Sequence, residues 1–189
     1  MSRSTAQSIS RSNAEPLGLA RQALIVAGAS LFVALCARIS LPLPFTPVPL
    51  TMSNFAVLAV GLTLGSRRGF AALCLYLMEG AAGLPVFSGG AVGAVHFFGP
   101  TGGYLMAYPL VAFVAGFIAE RGTRSFLRTA IASAVAELAL FACGLSWLAA
   151  IAHVSVSQAI GFGLYPFVFA EIIKIMSAAG IASRLRRVF

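Results

Sequence analysis

Stretches of about twenty consecutive, mostly apolar residues recur down almost the whole 189-residue chain. That is the length a helix needs to cross the hydrocarbon core of a bilayer. With 59% hydrophobic and only 10% charged residues, a soluble domain of this size could not cover its surface. The runs leave room for six spans with short connections and none for a separate soluble domain. The expectation is an all-α polytopic membrane protein: one six-helix domain over 17–189, preceded by a tail over 1–16. The tail is Ser-rich, carries Arg3 and Arg11, and reads as disordered and cytoplasmic. The apolar run after it is a full span long and lacks a small-residue cleavage site, so it reads as a retained helix and not a signal peptide.

The first span is predicted from Leu17 to Ile39 and stops at Leu41-Pro42-Leu43-Pro44-Phe45-Thr46-Pro47-Val48-Pro49. Proline lacks the N–H and restricts the residue before it, so this stretch cannot be helical. The second span starts near Thr51 and ends at Gly65-Ser66-Arg67-Arg68. The third covers Gly69 to Ala82, and both are short for a crossing. A glycine-rich, apolar segment from Gly83 to Gly103 follows. The fourth span runs from Tyr104 to Ala119 and the fifth from Phe126 to Ala152. Ser155 to Gly163 suits a short surface helix. Pro166 suits the first turn of a sixth span reaching about Arg187.

Charge sets the orientation. A net charge of +8 would fit a nucleic-acid binder only if the arginines clustered on a polar surface, whereas they occupy short turns between apolar runs. With both termini inside, Arg3, Arg11, Arg21, Arg67, Arg68, Arg121, Arg124, Arg128, Arg184, Arg186 and Arg187 all fall on the cytoplasmic side, and Arg38 alone falls outside. Six spans satisfy the positive-inside rule at every turn, and five or seven would break it. The proline-rich loop, the Gly83–Gly103 segment and the start of span six then share the outer side. Irregular backbone at membrane depth needs protein or a cavity to satisfy it, so these three segments are the natural walls of an outward-facing pocket.

Ionisable residues within spans are costly and point to function. Glu171 and the chain's single lysine, Lys174, lie three apart on one face of span six, about 7 and 12 Å below its outer end. The plainer reading is an ion pair that fixes helix packing. Glu79, near the outer end of span three, reaches either the pocket or the interface as a cap. Glu137, in span five, has no partner nearby in sequence; a buried pair with Arg38 is one option. Gly83-Leu84-Pro85-Val86-Phe87-Ser88-Gly89-Gly90 offers backbone N–H groups and an aromatic ring. Gly99-Pro100-Thr101-Gly102-Gly103-Tyr104 opens a helix, whose free N–H groups suit a carboxylate. Each glycine taken alone is explained by a tight turn. Ala23 and Ala27, four apart in span one, allow close helix approach, either within the molecule or with a partner. Cys36, Cys74 and Cys143 read as small buried apolar residues, and His96 and His153 are too few and too far apart for a metal site.

Thr46-Pro47-Val48-Pro49-Leu50-Thr51, Gly83-Leu84-Pro85-Val86-Phe87, Gly99-Pro100-Thr101-Gly102-Gly103-Tyr104 and Pro166-Phe167 with Lys174 stand in the order and spacing of the BioY family. The chain after the tail resembles that family, the biotin-binding S components of energy-coupling factor transporters. The resemblance implies an S-component fold, N-in and C-in, in the bacterial cytoplasmic membrane. It implies biotin as transported substrate with no cofactor. The implied partners are a transmembrane coupling subunit docked through Ala23 and Ala27 and two cytoplasmic ATPases. Such subunits topple in the membrane to release substrate. The family's usual aspartate is Glu171 here, and a glutamine usual after the Thr51 segment is Ser53. On this reading Glu171 accepts from the ureido N–H groups and Lys174 donates to the ureido oxygen or balances Glu171. Phe87 and Tyr104 form apolar walls. Ser88, Gly89, Gly102 and Gly103 receive the carboxylate, with Thr51, Ser53 and Glu79 nearby.

The rival expectation is a component or secondary carrier for another vitamin or small organic acid. A membrane-embedded enzyme would need paired acids, clustered histidines or a reactive serine on a helix, and none of these constellations appears. A purely structural subunit would leave buried Glu171 and Lys174 as an unexplained cost. No nucleotide-binding motif is present, so any ATP hydrolysis falls to partners.

Overall fold

A computed structural model describes residues 15–123 and 125–185. Seven helices follow one another: α1 (Glu15–Ala37), α2 (Ser53–Leu64), α3 (Ser66–Ala81), α4 (Gly102–Glu120), α5 (Phe126–Ile151), α6 (Val156–Gly163) and α7 (Val168–Arg184). Residues 1–14 of the expected tail lie outside the described residues. Helix α1 already contains Glu15 and Pro16, because proline costs little in a first turn whose N–H groups have no acceptor.

By length and composition α1, α4 and α5 can each cross a membrane, and α6 with α7, bent by 59°, would make a fourth crossing. Helix α2 has 12 residues, only about 18 Å of rise. It is buried on nearly every side, from Ser53 and Asn54 through Leu62, so it forms the centre of the bundle. Large apolar side chains stand exposed on the outside instead. They include Leu24, Leu31 and Leu35 of α1, Leu127, Ile131 and Leu138 of α5, and Phe169, Ile172 and Ile173 of α7. An apolar belt of this extent is what a hydrocarbon solvent requires.

The helix ends sort into two sets. At one end Thr46 bonds the Phe162 carbonyl, Tyr104 bonds the Gly163 carbonyl and Trp147 bonds the Gly99 carbonyl. These bonds gather the proline-rich loop, the start of α4, the end of α5 and the end of α6. At the other end Glu120 accepts from the Ser66 N–H at 2.7 Å and from its hydroxyl at 2.9 Å. Arg128 donates to the carbonyls of Ile118 and Arg121.

Several boundaries differ from the sequence expectation. The turn before α3 is the single residue Gly65, at φ +84°, a conformation that costs glycine little. Arg67 and Arg68 therefore lie in the first turn of α3 and not in a loop, with Glu120 capping that turn. Helix α7 starts at Val168 with Phe167 as its cap, so Pro166 stands just before the helix and not in its first turn. Arg187, its expected end, is outside the described residues. The all-α expectation gains one strand pair: β1 (Ser40–Leu41) and β2 (Leu50–Thr51) run antiparallel, Ser40 opposite Thr51 and Leu41 opposite Leu50. It closes the proline-rich loop as a hairpin.

Beneath the centre, α2, α3 and α4 meet through residues with little or no side chain. A side chain on Gly61 would collide with the backbone of Ala112, and one on Gly116 with the backbone of Gly65 and Ser66. Gly69 sits against the Cα of Gly61. Small residues let helix backbones approach closely, and that packing replaces the hydrophobic drive that lipid cannot supply.

Candidate ligand-binding site

A cavity of about 290 Å³ opens at the end where the hairpin, the 83–101 segment and the starts of α2, α4 and α7 converge. That volume suits a small solute. Its floor carries charge and its walls are mostly aromatic and apolar.

The floor is a chain of hydrogen bonds across three helices. Lys174 Nζ donates to Glu171 Oε1 at 2.7 Å within α7. Asn54 Nδ2, in the first turn of α2, donates to Glu171 Oε2 at 2.7 Å and to Glu137 Oε1 of α5 at 2.5 Å. Glu171, Lys174, Asn54 and Glu137 are each at least nine-tenths buried. Asn54, Glu171 and Lys174 line the cavity, whereas Glu137 stands behind its wall. Tyr108 of α4 completes the surroundings, its hydroxyl bonding Ser53 and Thr51. The floor thus offers a carboxylate acceptor and an ammonium donor side by side, a pairing that suits a ligand head carrying N–H groups next to a carbonyl.

The roof is built from irregular backbone. Phe87 is 2% exposed and packs edge-on against Tyr76, His96 and Phe97. Gly80 makes room for it, since a side chain there would enter the Phe87 ring. Three bonds hold this segment in place: Arg38 to the Pro85 carbonyl at 2.6 Å, Tyr76 to the Val86 carbonyl at 3.1 Å, and the Ser40 and Ser88 hydroxyls at 2.6 Å.

The residues singled out from sequence divide accordingly. Glu171, Lys174, Tyr104, Phe87, Ser88, Thr51 and Ser53 come together around the cavity. Glu79 does not join them. It is half-buried and accepts from the Ser30 hydroxyl of α1, joining α1 to α3. Gly102 and Gly103 also lie off the cavity wall. A side chain on Gly102 would strike the Phe97 carbonyl, and one on Gly103 would strike Trp147, so both serve helix approach. The Gly102 N–H is already given to the Gly99 carbonyl. Gly89 sits at φ +64° facing open space, where it serves the turn and not the wall. Glu137 pairs with Asn54 and not with Arg38, which holds the roof. Cys143 is exposed and not buried; the three cysteines are free. Ala23 and Ala27 lie on an exposed face of α1. Among the described residues no His, Cys, Asp or Glu group could hold a metal.

Sequence reasoning missed Asn54, Tyr108, Tyr76 and His96, all on the cavity wall. Asn54 was detectable in principle, as an amide inside an otherwise apolar span. Tyr76 and Tyr108 resemble ordinary aromatic packing in sequence, and His96 reads there only as a histidine too isolated for a metal site.

The model of the BioY family matches residues 4–189. A biotin transporter BioY of Thermotoga maritima is 40% identical, with 87% of this chain and 90% of that protein covered. A probable biotin transporter BioY of Pyrococcus horikoshii is 39% identical over 83% of this chain and 93% of its own length. Among solved structures, the S-component for biotin from an ECF-type ABC transporter superposes with a TM-score of 0.83. It is 24% identical and covers 89% of this chain and 92% of that one.

Proposed function

The chain belongs to the BioY family, and on that premise we propose that it takes up biotin, holding the vitamin in the cavity over the Glu171–Lys174 pair. The observation that carries the reading is the floor itself: one buried acceptor and one buried donor, 2.7 Å apart, under aromatic walls. Biotin's ureido ring has two N–H donors beside a carbonyl, so Glu171 and Lys174 match it group for group. Phe87, Tyr104 and Tyr108 offer apolar surface to the thiophane ring. The carboxylate tail then points to the mouth, where Ser88, Thr101 and His96 stand.

The same reading has six crossings, with α2 and α3 as short passes and the cavity on the outer side. The alternation of helix ends and the position of the arginines support it. It also has both termini inside and a transmembrane coupling subunit, with two ATPases, meeting the exposed Ala23–Ala27 face of α1 in the cytoplasmic membrane. Thin, side-chain-poor helix faces favour such contacts.

Titration of the purified protein with labelled biotin tests the assignment, with desthiobiotin, thiamin and riboflavin as competitors. Tight binding displaced by desthiobiotin alone is expected, and loss of it in Glu171→Gln and Lys174→Ala. Wild-type affinity in both variants would sink the placement on the floor.

A further inference from the structure

The cluster beneath the cavity contains one relation that recognition of a ligand does not explain. Asn54 gives both of its amide hydrogens away, one to Glu137 and one to Glu171. Its own carbonyl, Oδ1, has no hydrogen-bond partner among the described residues, and neither has Oε2 of Glu137. Both side chains are 4% exposed. Two buried acceptors on an amide and a carboxyl that already share one hydrogen bond would both be satisfied by a single hydrogen between them. A carboxylic acid facing an amide provides it: N–H donates to one carboxyl oxygen, while the other carboxyl oxygen carries O–H and donates to the amide carbonyl.

Charge points the same way. Lys174 stands 2.7 Å from Glu171 and is its ion-pair partner. Lys174 can neutralise one carboxylate, and a second one would leave the buried set with a net negative charge in the apolar bundle. The titratable or charged groups facing Glu137 are Tyr108 of α4 and Glu171 and Lys174 of α7, with the neutral amide of Asn54 from α2. Helix α6 contributes no titratable side chain. Among the described residues nothing beyond Lys174 faces Glu137 to balance it.

We propose that Glu137 is a neutral, protonated acid whose Oε2–H is donated to Asn54 Oδ1, and that it acts as the positioning residue for the ligand-reading floor. The proton fixes which way the Asn54 amide points, so that its remaining N–H is always turned to Glu171. It also leaves Lys174 committed to Glu171 alone, without a second carboxylate competing for it. The protonation assignment stands on the bundle geometry; its consequence for the ligand rests on the biotin reading.

Infrared difference spectroscopy of the purified protein at neutral pH reads the proton directly. Wild type minus Glu137→Gln is expected to contain the carbonyl stretch of a protonated carboxyl group. Its absence overturns the proposal. Glutamine keeps one acceptor and supplies an N–H in place of the O–H, so Glu137→Gln is expected to bind biotin within about threefold of wild type, whereas Glu137→Leu loses about tenfold or more. Equal losses in the two variants also overturn it. Should Glu137→Gln fail to accumulate, the same band is sought in Glu79→Gln, which keeps Glu137 and removes the half-buried acid of α3; a spectrum without it is again contrary. A protein that shows the band yet binds no biotin would sink the substrate assignment and leave the protonation assignment standing.

Discussion

The floor and the roof of the cavity are held by opposite means. The floor sits on three helices, α2, α5 and α7, and each of its four polar residues is fixed by a buried bond to another. The roof is loop and short 3-10 turn between Gly83 and Pro100, keyed by one buried ring and tied to the end of α1 by exposed or half-buried bonds. On the binding mode proposed above, the difference would separate reading the ligand from admitting it. Discrimination needs donors and acceptors that cannot rearrange, whereas entry needs a segment whose opening breaks few buried contacts.

Substitutions should grade along that division. Lys174→Ala strands the Glu171 carboxylate in the core, and removing one partner of a buried pair costs about 3–5 kcal/mol. A large fall in the unfolding midpoint in detergent and loss of biotin binding are expected; a mild effect would break the contrast at its strong end. Gly80→Ala pushes a methyl group into the Phe87 ring, and overpacking of this kind costs about 1–3 kcal/mol. It strikes the roof's one rigid point, so the midpoint should fall and biotin affinity with it. Tyr104→Phe removes only the hydroxyl that bonds the Gly163 carbonyl at 3.0 Å, a loss of about 1 kcal/mol visible in the thermal midpoint. Arg38→Ala frees the Pro85 carbonyl at an exposed bond. It should leave the midpoint nearly unchanged and speed biotin dissociation by about threefold, measured by a chase with unlabelled ligand. If Arg38→Ala slowed association and dissociation equally, the roof would be a wall and not an entrance.

The two regions also differed in how far the sequence disclosed them. The roof was legible because its chemistry is local: the Pro42–Pro49 run and the Gly83–Gly103 run announce irregular backbone by composition alone. Glu171 and Lys174 were legible because helical spacing puts i and i+3 on one face. Asn54 and Glu137 meet across a separation of 83 positions, and Asn54 and Glu171 across 117. No periodicity carries such a pairing; it depends on how α2, α5 and α7 dock. Glu79 failed for the same reason, its partner Ser30 being 49 positions away. Gly102 and Gly103 misled in another way. A glycine pair opening a helix is the same in sequence whether it faces a ligand or a neighbouring helix, and here the neighbours are Phe97 and Trp147.

Directly under the floor, Gly61, Gly69, Ala112 and Gly116 bring three helix backbones into contact. Backbone pressed on backbone leaves no side chain between these three helices there. On the uptake proposed above, a molecule held in the cavity would cross by movement of the protein as a body and not by passing between these helices.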